Sequence, residues 1–166
     1  ASLAEGRPID WPESVVGAAR RVLEGPGDPA FIAEALTLPG EATLAEQMEV
    51  VDPEALHAAR NALGQHLAAG LEDAFARLYA DLSPVNAAYA PDAQQVGRRR
   101  LRNLCLAYLN ELPVAAYREL ARRQFDEAGN MTDQFAALAV LANAGGAPVD
   151  GGSGGCDGGD GGEAAL

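Results

Sequence analysis

Lysine is absent from this 166-residue chain, and all 12 basic side chains are arginines. Without Lys there is no phosphate-cradling glycine loop ending in Lys-Ser or Lys-Thr. Aromatic residues are scarce at 5%, which removes the stacking platforms that single-stranded nucleic acid uses. Two cysteines, Cys105 and Cys156, are too few for a disulfide scaffold. No apolar run approaches the roughly 20 residues that cross a bilayer, so a membrane protein is not expected. The chain does not open on a basic-then-apolar leader, and the expected location is cytoplasmic. Basic charge is in short supply too: 24 acids give a net charge of −12 and a pI of about 4.4. That balance disfavours nucleic acid, an anionic membrane surface or another polyanion as partner.

The residues that are plentiful favour helix. Apolar side chains make up 48% of the chain, and Ala, Leu and Val carry most of that share, which is a helix-forming rather than a strand-forming palette. Residues 145–166 differ from the rest. They hold ten glycines, four acids (Asp150, Asp157, Asp160 and Glu163) and no Arg. Such a segment cannot bury enough apolar surface to offset its backbone entropy, and a flexible tail is expected there. A helical domain is expected over residues 1–144.

The periodicity predicts helices in series. Asp10 and Pro12 suit the start of the first, with Val15, Val16, Ala19, Val22 and Leu23 on its apolar side. Gly25-Pro26-Gly27 ends it, and Asp28 caps a second helix carrying Phe31, Ile32, Ala35 and Leu36. A short third piece is expected over Thr43 to Met48, because Thr43 with Glu46 fits a capping box. Asp52-Pro53 opens a helix to Leu82, whose stripe runs Leu56, Ala59, Leu63, Leu67, Leu71, Ala74, Phe75, Leu78 and Leu82. That helix spans roughly 45 Å, and Gly64 and Gly70 weaken its middle by about 1 kcal/mol each relative to Ala, a place for a bend. After a proline-containing loop, a helix is expected over Asp92 to Asn110 with Leu101, Leu104, Cys105, Tyr108 and Leu109 on its apolar side. Pro113 starts the next, through Val114, Tyr117, Leu120, Ala121 and Phe125. Asn130 caps the last, with Met131, Phe135, Leu138 and Leu141 at helical spacing. No strand pattern competes. The expected fold class is all-α: antiparallel helix pairs stacked into an ARM/HEAT-like superhelical solenoid.

Candidate chemistry is sparse. His57 and His66 lie nine positions apart, which at about 100° per residue places them on opposite sides of one helix, so they cannot share a metal ion. Cys105 reads as a small buried hydrophobe, and Cys156 falls in the glycine-rich tail. Arg98, Arg99, Arg100 and Arg102 form the one basic cluster. Arg98, Arg99 and Arg102 are expected on the polar side and Arg100 toward the apolar edge, paired with acids of neighbouring helices. Glu46, Glu49, Glu54, Glu72, Asp73, Asp126 and Glu127 read as solvated acids. The tail lacks the regular spacing of calcium-binding repeats. No catalytic, cofactor-binding or metal residue is assigned.

Several strings nonetheless form a pattern. Asp28-Pro29-Ala30-Phe31, Glu34-Ala35-Leu36-Thr37-Leu38-Pro39 and Asp52-Pro53-Glu54-Ala55-Leu56-His57-Ala58-Ala59-Arg60 come first. Arg99-Arg100-Leu101-Arg102-Asn103-Leu104-Cys105-Leu106-Ala107-Tyr108-Leu109, Gln124-Phe125 and Asn130-Met131-Thr132-Asp133 follow. In this order they resemble the helical C-terminal region of bacterial aminopeptidase N over about residues 1–144. The resemblance implies a parent zinc metalloprotease that removes N-terminal residues from peptides. Its zinc helix, His-Glu-x-x-His, and its Gly-x-Met-Glu-Asn motif do not occur here, so no catalytic residue carries over. It also implies a superhelical module over the catalytic cleft, with Leu101, Leu104, Tyr108 and Phe125 as interhelix core. Its expected partners are the parent's catalytic and other domains, with peptide substrates met only through the full-length enzyme. Because the chain opens on Ala1 and the glycine-rich tail follows the matched region, an excised or truncated piece with an exposed last helix is expected. A free-standing helical scaffold that binds a protein partner is the alternative.

Overall fold

The computed structural model describes residues 11–83 and 90–143. Those residues form seven helices and, among them, no strand: α1 (Glu13–Leu23), α2 (Pro29–Leu36), α3 (Glu41–Ala45), α4 (Pro53–Leu82), α5 (Ala93–Leu109), α6 (Ala115–Glu127) and α7 (Met131–Asn143). The all-α expectation holds. The tail 145–166, the boundary at 144, Cys156 and the Asp10 cap lie outside the described residues.

Side-chain oxygens start four of the helices. Asp28 accepts from the Ala30 and Phe31 amides, Asp52 from Ala55 and Asp92 from Gln95. Asn130 accepts from the Asp133 amide. Each satisfies an N–H that the helix leaves orphaned, worth about 1 kcal/mol. The third helix starts earlier than its capping-box pattern implies. Gly40 is its N-cap and no side chain caps it, so Thr43 lies inside the helix and not at its start.

Paired side chains set the topology. Phe75 of α4 stacks on Tyr108 of α5 with ring centroids 4.7 Å apart, and Ser83 meets Arg102, so α4 and α5 run antiparallel. Val16 lies against Gly70 and Glu24 against Arg77, which aligns α1 with α4. Ala30 faces Gly97 and Glu34 pairs with Arg100, which aligns α2 with α5. On the other side, Tyr117 reaches Glu72 and Gln124 reaches Tyr79, aligning α6 with α4, while α7 packs on α5 and α6. Three hairpins, α1–α2, α4–α5 and α6–α7, therefore stack in sequence. The first helices of the hairpins form one layer and the second helices the other, with short α3 packed on α4.

The central hairpin carries the core. Leu67, Ala68, Leu71, Ala74, Phe75 and Tyr79 of α4 are buried, with Leu101, Cys105, Leu106, Tyr108 and Leu109 of α5. Leu104 and Phe125 are half-buried against this core. Burying a Leu- or Phe-sized side chain contributes about 1.5–3 kcal/mol, so these two helices hold the fold.

Gly64 and Gly70 do not break α4, which runs as one helix. A Cβ on Gly70 would lie 2.6 Å from Val16 Cγ1, so glycine there lets α1 approach α4. Two expected apolar faces shift. On α2, Ile32, Ala33 and Leu36 are buried while Phe31 is 67% exposed. On α7, Ala137 is buried while Met131, Phe135 and Leu138 are exposed, Met131 by 82%.

Candidate functional site

The described residues concentrate their buried polar chemistry where the second and third hairpins meet. Arg102 of α5 and Asp133 of α7 are both buried and pair at 3.4 Å. Arg102 Nε donates to Ser83 Oγ at 3.2 Å and Nη2 to the Tyr79 hydroxyl at 3.1 Å. Its guanidinium lies 4.8 Å from the Tyr79 ring centre, within cation–π range. Asp133 accepts a second and a third hydrogen bond from Asn103 and Asn130 side chains, both at 2.9 Å. Gln124 of α6 completes the cluster: it donates to Asn103 and to the Asp133 carbonyl, and accepts from Tyr79 at 2.9 Å. Burial pushes the Tyr79 hydroxyl above its ordinary pKa, partly offset by Arg102, so it stays a donor.

Above this cluster opens a cleft of about 890 Å³, lined by Tyr79, Asp81, Arg98, Arg99, Arg102, Arg123, Glu127 and Asp133 among others. Only part of the arginine reading survives. Arg100 pairs with Glu34 of α2 and Arg102 with Asp133 of α7, as expected for arginines meeting acids of neighbouring helices. The assignment of faces is corrected: Arg102 is the buried one, 9% exposed, and Arg100 is exposed. The α5 surface turns its Arg102 edge toward α4 and α7, so the inward side is wider than the Leu stripe alone indicates. Arg98 donates to the Asp81 carbonyl and Arg99 to the Ala90 carbonyl and Gln95.

The remaining candidates are scattered. His57 is exposed, hydrogen-bonded to Glu41 at 2.7 Å and to Asn61 at 2.8 Å. His66 Nε2 is buried without a partner. Among the described residues no three His, Cys, Asp or Glu side chains group as metal ligands, so these residues do not fit a zinc site and no zinc chemistry is routed through them. Cys105 is fully buried and its thiol is pushed up to about 12 by desolvation, which suits a packing residue and not a nucleophile. Glu72 is not simply solvated, because it accepts from the Tyr117 hydroxyl at 2.5 Å. That bond, with burial second, raises Tyr117 to about 12.

Sequence reading missed Asp133, Gln124 and Tyr79 as site residues. Their signal was present: Gln124 follows buried Ala121 by three positions and Asp133 precedes buried Ala137 by four. A polar residue on an apolar helical register marks a buried hydrogen-bond network.

Three helix hairpins stacked in two layers around a shared core define an α-solenoid of the armadillo kind. The chain belongs to the family described as a domain of unknown function with ARM repeats, DUF3458_C, which matches residues 1–150. It is 38% identical over 129 residues to Aminopeptidase N of Caulobacter vibrioides, covering 78% of this chain and 15% of that protein. It is 36% identical over 141 residues to Aminopeptidase N of Escherichia coli K12, covering 84% of this chain and 16% of that one. A crystal structure of Legionella pneumophila aminopeptidase A in complex with aspartic acid superposes with a TM-score of 0.72 and 26% identity, covering 84% of this chain and 17% of that chain. The chain thus spans about one sixth of the length of these relatives.

Proposed function

We propose that this chain is a non-catalytic helical module of a zinc-dependent aminopeptidase, serving to enclose the active-site cleft of the whole enzyme. The observation that carries the reading is the similarity to aminopeptidase N over 84% of a chain that lacks the His-Glu-x-x-His zinc motif. In this reading the parent removes N-terminal residues from peptides in the cytoplasm, and its zinc is held by a catalytic domain. The module's partners are that catalytic domain and its neighbours, and it limits access to small peptides. The Arg102–Asp133 junction supports a rigid wall, since it ties the third hairpin to the second through buried hydrogen bonds.

The test has two parts. The purified chain, given zinc and an alanyl chromogenic substrate, is expected to show no turnover; zinc-dependent turnover overturns the non-catalytic reading. Immobilised chain is expected to retain the catalytic portion of an aminopeptidase N and not an unrelated bait. Equal retention of both baits, or of neither, overturns the module reading. A free-standing scaffold is the second reading, favoured by the exposed Met131, Phe135 and Leu138 stripe on α7, and binding of the chain to a protein other than the aminopeptidase portion would support it.

A further inference from the structure

We propose that the cleft between α4, α5, α6 and α7 binds a small organic carboxylate, with Arg102 at its floor and Arg98 and Arg123 at its rim. The first argument is the donor inventory of the floor. A guanidinium has five N–H donors, and Arg102 gives three of its own to Ser83, Tyr79 and Asp133. Among the described residues two donors remain without an acceptor, on a side chain that is 10% exposed and lines the cleft. The acceptors around it are already engaged: Asp133 accepts from Asn103 and Asn130, and Gln124 Oε1 from Tyr79. The floor therefore offers donors and no free carboxylate oxygen, which suits an acceptor-only planar group met by a guanidinium fork.

The rim adds charge. Among the described residues neither Arg98 nor Arg123 forms an ion pair; Arg98 donates only to the Asp81 carbonyl. Both line the cleft, together with Arg99. Among the described residues Asp81, Glu127 and Asp133 line it too, and Asp133 is already paired with Arg102. Arg98 and Arg123 suit a single negative group and not a polyanion, which the −12 chain repels. A volume of about 890 Å³ lies within the range of about 300–1,000 Å³ for small-molecule sites. Leu82, Leu120 and Ala128 provide apolar wall for the rest of such a ligand. The proposal rests on these residues alone and not on the aminopeptidase reading.

The carboxylate has two sources, a peptide's C-terminus or an acidic side chain, and the experiment separates them. Arginine side-chain NMR of the full chain follows titration with N-acetyl-alanyl-alanine, with its C-terminal amide, and with N-acetyl-aspartyl amide. The expected result is a saturable shift of the Arg102 Nε resonance with one or both acids and none with the uncharged amide; the acid that binds more tightly identifies the source. Arg98→Gln and Arg123→Gln change exposed residues and are expected to leave the melting temperature unchanged. Each is expected to weaken binding about fivefold, the size of one exposed ion pair. The proposal is overturned by a lack of saturable shift with either acid, by equal shifts with the uncharged amide or with inorganic phosphate at matched ionic strength, or by unaltered binding in the Arg98→Gln/Arg123→Gln double variant.

Discussion

Asp133→Ala is the sharpest perturbation the structure offers. The Asp133 side chain is 5% exposed and that of its partner Arg102 is 10% exposed. Truncation leaves the Arg102 guanidinium buried without a counter-charge and withdraws the acceptor of the Asn103 and Asn130 side chains. Removing one partner of a buried pair costs about 3–5 kcal/mol, because the remaining charge is desolvated and uncompensated. The loss should sit at the lower end, since Arg102 keeps Ser83 and Tyr79 and borders a cleft that admits water. A loss of about 3 kcal/mol corresponds to roughly 6–12 °C for a domain of this size. Urea unfolding followed by far-ultraviolet circular dichroism measures it. Asp133→Asn keeps the shape and one of the two oxygens that accept from Asn103 and Asn130, and should lose less. Arg102→Met combined with Asp133→Leu removes both charges and should recover most of the stability, since apolar replacement of a buried pair is often neutral. A loss below about 1 kcal/mol for Asp133→Ala, or a double variant no better than the worse single, would refute the claim that a buried charge pair joins α5 to α7.

Gly70→Ala should destabilise by about 1–2 kcal/mol in thermal unfolding, since overpacking against Val16 outweighs about 1 kcal/mol of helix propensity, and adding Val16→Ala should restore it. Phe75→Ala, which deletes a fully buried ring stacked on Tyr108, should cost about 3–5 kcal/mol in urea titration. Stability should fall as pH rises above 9. Burial lifts Cys105 from 9.0 to about 12 and Tyr108 from 10.0 to about 12, so the folded state holds protons the unfolded chain releases. Their contribution is complete below the unfolded values and is lost toward pH 12; a Cys105→Ala variant with an unchanged slope between pH 9 and 10 would contradict this. Met131→Gln and Phe135→Gln, both on exposed positions of α7, should shift stability by less than about 0.5 kcal/mol, measured by thermal melts.

Helix existence and most helix starts were legible in the chain. Asp28, Asp52, Asp92 and Asn130 cap their helices through bonds to residues two or three positions on, and a local bond leaves a local signature. The apolar registers of α4 and α5 were legible for the same reason. The start of α3 was not, because Gly40 caps it without a side chain and the Thr43–Glu46 pattern occurs by coincidence. The polar cluster was only half visible. Both strings that meet in it, the one containing Arg102-Asn103 and the one containing Asn130 to Asp133, stood out in sequence, but nothing in either string announces the other.

The one-dimensional chain determined that this protein is helical, where its hairpins turn, and that it carries no zinc helix, since propensity, capping and motif spacing act over a few residues. Tertiary structure alone decided which side of each helix faces inward. Arg102 and Asp133 are 31 positions apart and become buried only because α7 lies along α5; Phe31 and Met131 stay in solvent because no described helix covers them. Burial is a property of neighbours brought together from distant parts of the chain, and a helical stripe cannot state which of its flanks a partner will cover.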